Sequence, residues 1–162
     1  MTSANVLLIP KIENGIVIDH IPAGLGSEIL HILSYHPELA GTPITFGLNY
    51  QSRRLGKKDL IKLQITELPP RFLSHLSIIA PGVTVKRIKD FKVDRKIILD
   101  PPEIIEGILK CPNPNCVTNF ECHVRTSFHC LETSPLRFRC NFCERLFAVD
   151  ELEPTLQPRE PA

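Results

Sequence analysis

Residues 111–116 read Cys-Pro-Asn-Pro-Asn-Cys and residues 140–143 read Cys-Asn-Phe-Cys, and these two stretches decide how the chain divides. All 6 cysteines lie between Cys111 and Cys143, so the chain before Cys111 contains none. The N-terminus lacks the charged and apolar regions of a secretory signal. Clustered cysteines in such a chain favour a metal site over a disulfide framework. The sequence therefore predicts a cysteine-free N-terminal part and a metal-binding C-terminal part.

The spacing within each cysteine pair indicates which metal the second part binds. Turn-forming residues separate the two cysteines of a pair, so both thiolates can reach one ion, and two pairs complete a tetrahedral zinc site. Four protein ligands leave no position for water, which indicates a structural zinc ion, one per chain. The predicted ligands are Cys111, Cys116, Cys140 and Cys143. Cys122 and Cys130 lie in strand-like segments and are expected to be buried as small apolar side chains.

Composition and charge exclude several classes of function. The chain has 162 residues with 19 basic and 18 acidic side chains, and its formal net charge is only +1. A uniformly basic surface for nucleic acid or membrane is therefore excluded. No apolar run approaches the ~20 residues of a membrane-spanning helix. We expect a soluble cytoplasmic protein with no nucleic-acid partner and no membrane partner.

Apolar patterning predicts the fold of the N-terminal part. Strands are predicted over residues 6–9, 16–21, 44–50, 60–66 and 83–93, with a hairpin turn at Asn14-Gly15. Helices are predicted from Ser27 to Pro37 and from Pro69 to Pro81. Without its first strand, this order is the ferredoxin-like arrangement, in which two helices cover one face of an antiparallel sheet.

The C-terminal part is predicted to fold as a small sheet around its metal. Asp100-Pro101-Pro102 is the predicted linker, residues 103–109 form a short helix, and strands cover residues 117–122, 124–130, 136–139 and 145–149. The fold class is therefore α+β, a ferredoxin-like domain followed by a small all-β zinc-binding domain. The predicted boundaries are residues 1–100, residues 101–152, and a disordered proline-rich tail over residues 153–162.

Charged residues at the ends of the predicted N-terminal strands raise the question of a ligand. Asp19-His20 lies near the end of one strand, and basic side chains recur at Lys62, Lys86 and Lys96. A carboxylate can hold ribose hydroxyls and ammonium groups can hold phosphates, so this set suits a nucleotide. From composition alone, an ordinary solvated sheet face is the simpler explanation. Neither a glycine-rich phosphate loop nor a supported catalytic triad occurs, so no catalytic residue is predicted.

Several longer motifs together resemble one known family. They are Gly15-Ile-Val-Ile-Asp-His-Ile-Pro-Ala23, Gly56-Lys-Lys-Asp-Leu-Ile-Lys62, Ala80-Pro81 with Thr84-Val85-Lys86-Arg87-Ile88, and the two cysteine motifs with Glu144. In this order they are similar to the regulatory chain of aspartate carbamoyltransferase. The resemblance implies a non-catalytic regulatory subunit of pyrimidine biosynthesis, with an N-terminal allosteric domain that binds CTP or ATP. It also implies a homodimer with a second regulatory chain, and docking on the catalytic chain through the zinc domain.

The resemblance also implies roles for individual residues. The nucleotide-binding positions are Ile12, Val17, Asp19, His20, Leu60, Lys62, Lys86, Ile88, Phe91, Val93 and Lys96. Asp19 would hold the ribose, and Lys62 would contact the base and the ribose. Lys96 would contact the phosphates with help from His20. Contacts with the catalytic chain are implied for Asn113, Asn115 and Glu144.

The sequence departs from the family pattern in places, and two other classes of protein stay open. Lys86 stands where an asparagine is familiar, and Phe91 where a tyrosine is. The first alternative is a nucleic-acid-binding protein with a zinc ribbon, which the scarcity of aromatic side chains disfavours. The second is an iron electron carrier of the rubredoxin type, which the four-residue gap between Cys111 and Cys116 disfavours.

Overall fold

The N-terminal part of the molecule is an antiparallel sheet with two helices on one face. The computed structural model of the chain describes residues 9–155. The elements of this part are β1 (Gly15–Pro22), α1 (Gly26–Leu33), a short 3-10 helix (Pro37–Leu39), β2 (Ile44–Ser52), β3 (Gly56–Leu63), α2 (Pro70–Ile79), β4 (Thr84–Lys89) and β5 (Lys92–Ile98). The strand order β2-β3-β1-β4-β5 confirms the ferredoxin-like arrangement and adds β5 at one edge. No helix in the described range is long and apolar enough to cross a membrane.

The alternation of side chains along the strands separates a covered face from an open face. Ile16 and Ile18 of β1 are buried in one apolar cluster with Ile29 of α1 and Phe72 of α2. Because successive strand residues point to opposite faces, the side chains between these isoleucines belong to the face that the helices do not cover. This open face is where polar and charged strand residues collect.

The single strand predicted over residues 83–93 is wrong, because the chain reverses within it. β4 ends at Lys89, and β5 begins at Lys92. The two residues between them have positive φ, 51° at Asp90 and 63° at Phe91, as a two-residue type I′ turn between twisted strands requires. No glycine marks this turn, so the sequence pattern hides it. The reversal brings a second run of basic residues back along the sheet.

Smaller differences lie at the ends of other N-terminal elements. Residues 6–8 of the predicted first strand lie outside the described residues, and residues 9–14 form no strand. The hairpin predicted at Asn14-Gly15 is therefore not seen within the described range, and Gly15 instead begins β1. Glycine is required there because a Cβ atom would collide with the carbonyl oxygen of Leu63.

The C-terminal part is all-β, as predicted. Its strands are β6 (Ile104–Glu106), β7 (Leu109–Lys110), β8 (Ser127–Thr133), β9 (Leu136–Cys140), β10 (Leu146–Ala148) and β11 (Glu153–Pro154), with short 3-10 helices at Val117–Asn119 and Val149–Glu151. Four strands form a sheet in the order β10-β9-β8-β6, and β11 pairs with β7. A second apolar cluster, which includes Ile105, Phe128 and Phe138, forms the core of this part.

Two predicted elements of the C-terminal part are wrong. Residues 103–109 form β6 and β7 rather than a helix, because the chain turns between them at Gly107, whose φ is 70°. Residues 117–122 contain a 3-10 helix rather than a strand. The reason is the side chain of Asn119, which donates hydrogen bonds to the carbonyl oxygens of Cys111 (3.0 Å) and Asn113 (2.7 Å) and holds the segment in a turn.

The first residues of the predicted tail belong to the fold. Glu153 and Pro154 pair with β7, and the Thr155 amide donates to the carbonyl oxygen of Ile108 at 2.8 Å. The sequence missed this pairing because two residues are too short for a strand pattern. The remainder of the predicted tail, residues 156–162, lies outside the described residues.

Helix α2 connects the two parts of the molecule. Arg71 Nη2 donates a hydrogen bond to the carbonyl oxygen of Thr155 at 2.7 Å, and His75 Nε2 lies 3.0 Å from the carbonyl oxygen of Ile108. Ile78, on the same side of the helix, is buried in the C-terminal apolar cluster. Residues at these spacings share one helix face, so α2 covers the N-terminal sheet with one face and contacts the C-terminal part with another.

Candidate functional sites

The four cysteines of the two predicted pairs converge on one point of the C-terminal part. Their Sγ atoms all lie within 4.8 Å of one another, and the group is Cys111, Cys116, Cys140 and Cys143. The Sγ–Sγ distance is 3.7 Å between Cys111 and Cys143 and 3.8 Å between Cys116 and Cys140. A tetrahedron with zinc–sulfur bonds of about 2.3 Å has edges of roughly 3.8 Å, so the donor set fits a tetrahedral ion.

Local hydrogen bonds shape the two turns that present these thiols. Cys140 is the last residue of β9, and its carbonyl oxygen accepts from the Glu144 amide at 2.9 Å. Glu144 adopts a positive φ of 61°, which closes the turn around Cys143. In the other turn, the Cys116 amide donates to the carbonyl oxygen of Asn113 at 3.0 Å. Backbone hydrogen bonds therefore shape both of the turns that present the thiols.

The electrostatics of the cluster call for a cation. Burial raises the pKa of the Cys111 and Cys140 thiols. Burial also acts to raise the pKa of Cys143, but hydrogen bonds from the Arg145 backbone and the Asn113 side chain, with those of neighbouring thiols, lower it to about 7. Several thiolates cannot share this buried space unless a positive ion compensates them. Four sulfur donors without a carboxylate or water position suit a closed structural site for zinc.

The two remaining cysteines lie apart from this cluster. Cys122 is exposed, and the expectation that it is buried is wrong, because it lies in a turn rather than in a strand. Cys130 is half-buried on β8 and packs against the C-terminal core, and its Sγ donates to the carbonyl oxygen of Glu132 at 3.6 Å. Neither belongs to the four-sulfur group.

A row of three lysines crosses the open face of the N-terminal sheet. Lys62 of β3 and Lys86 of β4 both pair with Val17 of β1, and Lys96 of β5 pairs with Lys86. Like charges on neighbouring strands of one face repel each other, so the row is unfavourable without an anion. The hairpin that the sequence pattern missed is what places Lys96 in this row.

A buried carboxylate lies beside the lysine row. Asp19 is 8% exposed, and its Oδ1 atom accepts from Lys58 Nζ and from the His20 amide, each at 2.7 Å. Its Oδ2 atom accepts from Lys86 Nζ at 3.1 Å. Burial acts to raise the pKa of Asp19, but the hydrogen bonds from Lys58, the His20 backbone and Lys86 lower it to about 2.

Lys58 contacts Asp19, although it is not among the nucleotide-binding positions that the family resemblance implies. Among the described residues, no other side chain lies closer to Asp19, and the Lys58 side chain is 20% exposed. The alternation of side chains along β3 is the sequence signal that could have identified Lys58, because Lys58, Leu60 and Lys62 share one face of the sheet.

The other predicted nucleotide residues differ in their exposure and in their local contacts. Leu60 and Ile88 are half-buried, whereas Phe91 and Val93 are each 56% exposed near the β4–β5 turn. The Phe91 amide donates to the carbonyl oxygen of Glu13 at 2.9 Å, which brings this turn beside the segment that carries Ile12. His20 has a positive φ of 58° at a bulge in β1, and its buried Nδ1 atom has no hydrogen-bond partner within the described residues.

The three predicted interface residues divide into two kinds. Asn115 and Glu144 are exposed on the two cysteine turns. Asn113 is only 6% exposed, and its Oδ1 atom accepts from the Asn115 amide at 3.1 Å. Asn113 therefore shapes its turn from inside, and the other two side chains form the outer surface beside the metal centre.

Comparison with known proteins finds the same family over both parts of the chain. The family model described as "Aspartate carbamoyltransferase regulatory chain, allosteric domain" matches residues 7–100, and the model for the metal binding domain of that chain matches residues 103–153. A relative from Pyrococcus horikoshii named "Aspartate carbamoyltransferase regulatory chain" is 40% identical over 146 residues, which cover 90% of this chain and 95% of the relative. A relative of the same name from Thermococcus kodakarensis is 41% identical over 93% of this chain and 97% of the relative. Another from Thermofilum pendens is 42% identical over 90% of this chain and 92% of the relative.

Proposed function

The chain belongs to the aspartate carbamoyltransferase regulatory chain family and is a non-catalytic subunit, and from that premise we propose that it binds a nucleoside triphosphate, CTP or ATP, on the open face of its N-terminal sheet. The lysine row is the observation that carries the proposal. Lys62, Lys86 and Lys96 present three ammonium groups on one face, and such groups bind phosphates as point charges. Apolar side chains of the same face provide a surface for the base.

The residues of this site contribute in different ways. The proposed nucleotide-binding set is Ile12, Val17, Asp19, His20, Leu60, Lys62, Lys86, Ile88, Phe91, Val93 and Lys96, to which the geometry adds Lys58. The lysines and His20 would face the phosphates, and the aliphatic side chains with the backbone near Ile12 and Phe91 would face the base. In this proposal residues 1–100 form the allosteric domain and residues 101–152 form the zinc domain.

Substitution of one lysine at the exposed end of the row tests the nucleotide site. Lys96→Met removes a phosphate contact, and a hydrogen bond to a charged group is worth about 1.5–3 kcal/mol, so the affinity for CTP and ATP should fall roughly tenfold or more. Isothermal titration calorimetry on the full zinc-loaded chain measures this. Lys89→Met, which removes an exposed lysine at the end of β4, is the matched control. Equal affinities for wild type and Lys96→Met would refute the site.

We propose that zinc bound by Cys111, Cys116, Cys140 and Cys143 supports docking on the catalytic chain. The turns that carry these cysteines also carry Asn115 and Glu144 at the surface, with Asn113 behind them. The ion would fix the two turns relative to each other and so give the surface one shape. Docking and metal binding are then properties of the same small part.

The edge strand β2 is the proposed contact with a second regulatory chain. Ile44, Phe46 and Leu48 alternate along it and are 37%, 52% and 43% exposed. An edge strand with exposed apolar side chains invites pairing with another strand, and a second copy of this chain would cover it. Phe46→Asp should therefore give a monomer in sedimentation velocity, whereas Leu131→Asp, a similarly exposed leucine on β8, should leave a dimer. A dimer in both variants would contradict this contact.

The proposed regulation links the nucleotide site to the catalytic chain through α2. A nucleotide can shift the assembly between two states only if it binds them with different affinity, typically by about 1–3 kcal/mol. Helix α2 packs on the sheet that carries the lysine row and contacts the C-terminal part through Arg71, His75 and Ile78. A displacement of the strands would reach the zinc domain by this helix.

A further inference from the structure

We infer that Lys86 holds Asp19 in a cluster of ion pairs with Lys58. The nucleotide site therefore recognises the polyphosphate of its ligand and binds ribose and 2′-deoxyribose nucleoside triphosphates with similar affinity. The inference rests on the proposed nucleotide site and concerns which part of the ligand this site distinguishes. It differs from the role that the family resemblance assigns to Asp19, which is to hold the ribose.

The acceptor capacity of Asp19 is mostly used within the protein. A carboxylate offers about four lone-pair positions on its two oxygens. Oδ1 accepts from Lys58 Nζ and the His20 amide, each at 2.7 Å, and Oδ2 accepts from Lys86 Nζ at 3.1 Å. Within residues 9–155, these contacts leave one position, on Oδ2, for a ligand. The two hydroxyls of a ribose need two, so one hydroxyl can gain a strong bond to Asp19 but a pair of them cannot.

Burial and charge hold the cluster in this state. The side chains of Lys58, Asp19 and Lys86 are 20%, 12% and 23% exposed, so water screens their attraction poorly. A second ribose hydroxyl could reach Asp19 only by displacing an ammonium group. A hydroxyl carries no net charge, and the exchange would lose the attraction between two full charges in a partly buried site.

The lysines of the row that Asp19 does not hold remain available for an anion. Among residues 9–155, neither Lys62 nor Lys96 forms an ion pair with a carboxylate. Lys62 Nζ contacts the carbonyl oxygen of Pro10, and Lys96 is exposed on β5. Lys86 stands between these two lysines, so it is shared between Asp19 and any anion bound to the row. The strongest forces on a nucleotide here therefore act on its phosphates.

The test compares three probes on the full zinc-loaded chain by calorimetry at fixed ionic strength: CTP, 2′-deoxy-CTP and inorganic tripolyphosphate. Wild type should bind CTP and 2′-deoxy-CTP with affinities within about threefold, because one hydroxyl already fills the free position of Asp19. Inorganic tripolyphosphate should compete with both. Lys86→Met should weaken tripolyphosphate and raise the preference for CTP over 2′-deoxy-CTP to about tenfold, since it frees Oδ2 for a second hydroxyl.

Two further variants make the outcome decisive. Lys58→Met frees a position on Oδ1 and should raise the ribose preference in the same way, so the test survives if Lys86→Met fails to fold. Lys89→Met should keep the wild-type preference, because Lys89 does not contact Asp19. A wild-type preference for ribose above about tenfold, or an unchanged preference in both Lys58→Met and Lys86→Met, would overturn the inference. Failure of all three probes to bind wild type would instead overturn the proposed nucleotide site.

Discussion

The two parts of this chain reach an ordered structure by different means. The N-terminal part buries aliphatic and aromatic side chains between a five-stranded sheet and two helices, and its core includes Ile18, Ile61 and Phe72 with no exposed surface. The C-terminal part has a smaller apolar cluster, and 3 of the 11 buried members of that cluster are cysteines. A part too small for a large core can therefore take its rigidity from a metal, provided that its turns bring the ligands together.

Removal of the metal should have the largest effect, and this effect should differ between the two parts. Structural zinc contributes folding free energy of order 10 kcal/mol in small domains, so a chelator or a thiol-reactive mercurial should unfold the C-terminal part and leave the N-terminal sheet folded. Hydrogen exchange measured by mass spectrometry should show lost protection in β8 and β9 and retained protection in β1 and β3.

The same treatment tests the docking role of the metal centre. In the assembled complex, loss of zinc should release the catalytic chain, which light scattering after size-exclusion chromatography detects. A zinc-free chain that keeps its protection in β8 and β9 would show that the apolar cluster suffices. A zinc-free complex that stays intact would show that docking does not depend on the metal.

A buried pair of histidines between the two parts should make their connection sensitive to pH. Burial lowers the pKa of His36 and of His75 below the ordinary value of 6.5, although Glu38 acts to raise the first and the Ile108 carbonyl the second. His36 Nε2 lies 3.4 Å from His75 Nδ1, and Arg71 lowers both pKa values. The unfolded chain therefore binds these protons more readily, and the free energy of unfolding should fall as the pH decreases below about 6.5.

A matched pair of variants separates this effect from general acid unfolding. His75→Gln keeps a donor for the Ile108 carbonyl but cannot titrate. The free energy of unfolding, measured with denaturant, should therefore depend less on pH in this variant than in wild type. His123→Gln changes a side chain that is 64% exposed and should leave the slope unchanged. If the free energy of unfolding of His75→Gln depended on pH as it does in wild type, the buried histidine pair would be excluded as the source of that dependence.

The smallest effect is expected from substituting a cysteine of the C-terminal part that lies outside the four-sulfur group. Cys122 is exposed and lies outside the four-sulfur group, so Cys122→Ser should change the free energy of unfolding by no more than about 0.5 kcal/mol. Its zinc content, measured by elemental analysis, should equal that of wild type. Cys116→Ser, which changes a buried member of the group to a similar shape, should lose tightly bound zinc. Loss of zinc in Cys122→Ser would show that the ligand set is misassigned.

Local signals in the sequence predicted the elements that depend on short-range patterns. The apolar stripe of α2 between two proline-marked ends predicted that helix, and the cysteine spacing predicted the four-sulfur cluster. The β4–β5 turn was missed because Asp90 and Phe91 adopt positive φ without a glycine, a strain that only the paired strands impose. The pairing of Asp19 with Lys58 was missed because the two residues are distant in sequence and meet only through the register of β1 and β3.

The hydrogen bonds of Thr155 have a consequence for the order in which the two parts of the chain become connected. Thr155 donates from Oγ1 to the Gly107 carbonyl at 2.8 Å, and Arg71 Nη2 donates to its backbone oxygen at 2.7 Å. A ribosome makes Arg71 early and Thr155 late, so the N-terminal sheet can fold before these hydrogen bonds can form. A chain shortened before Thr155 would lose these hydrogen bonds, and its two parts would be joined by the remaining contacts of α2 at His75 and Ile78.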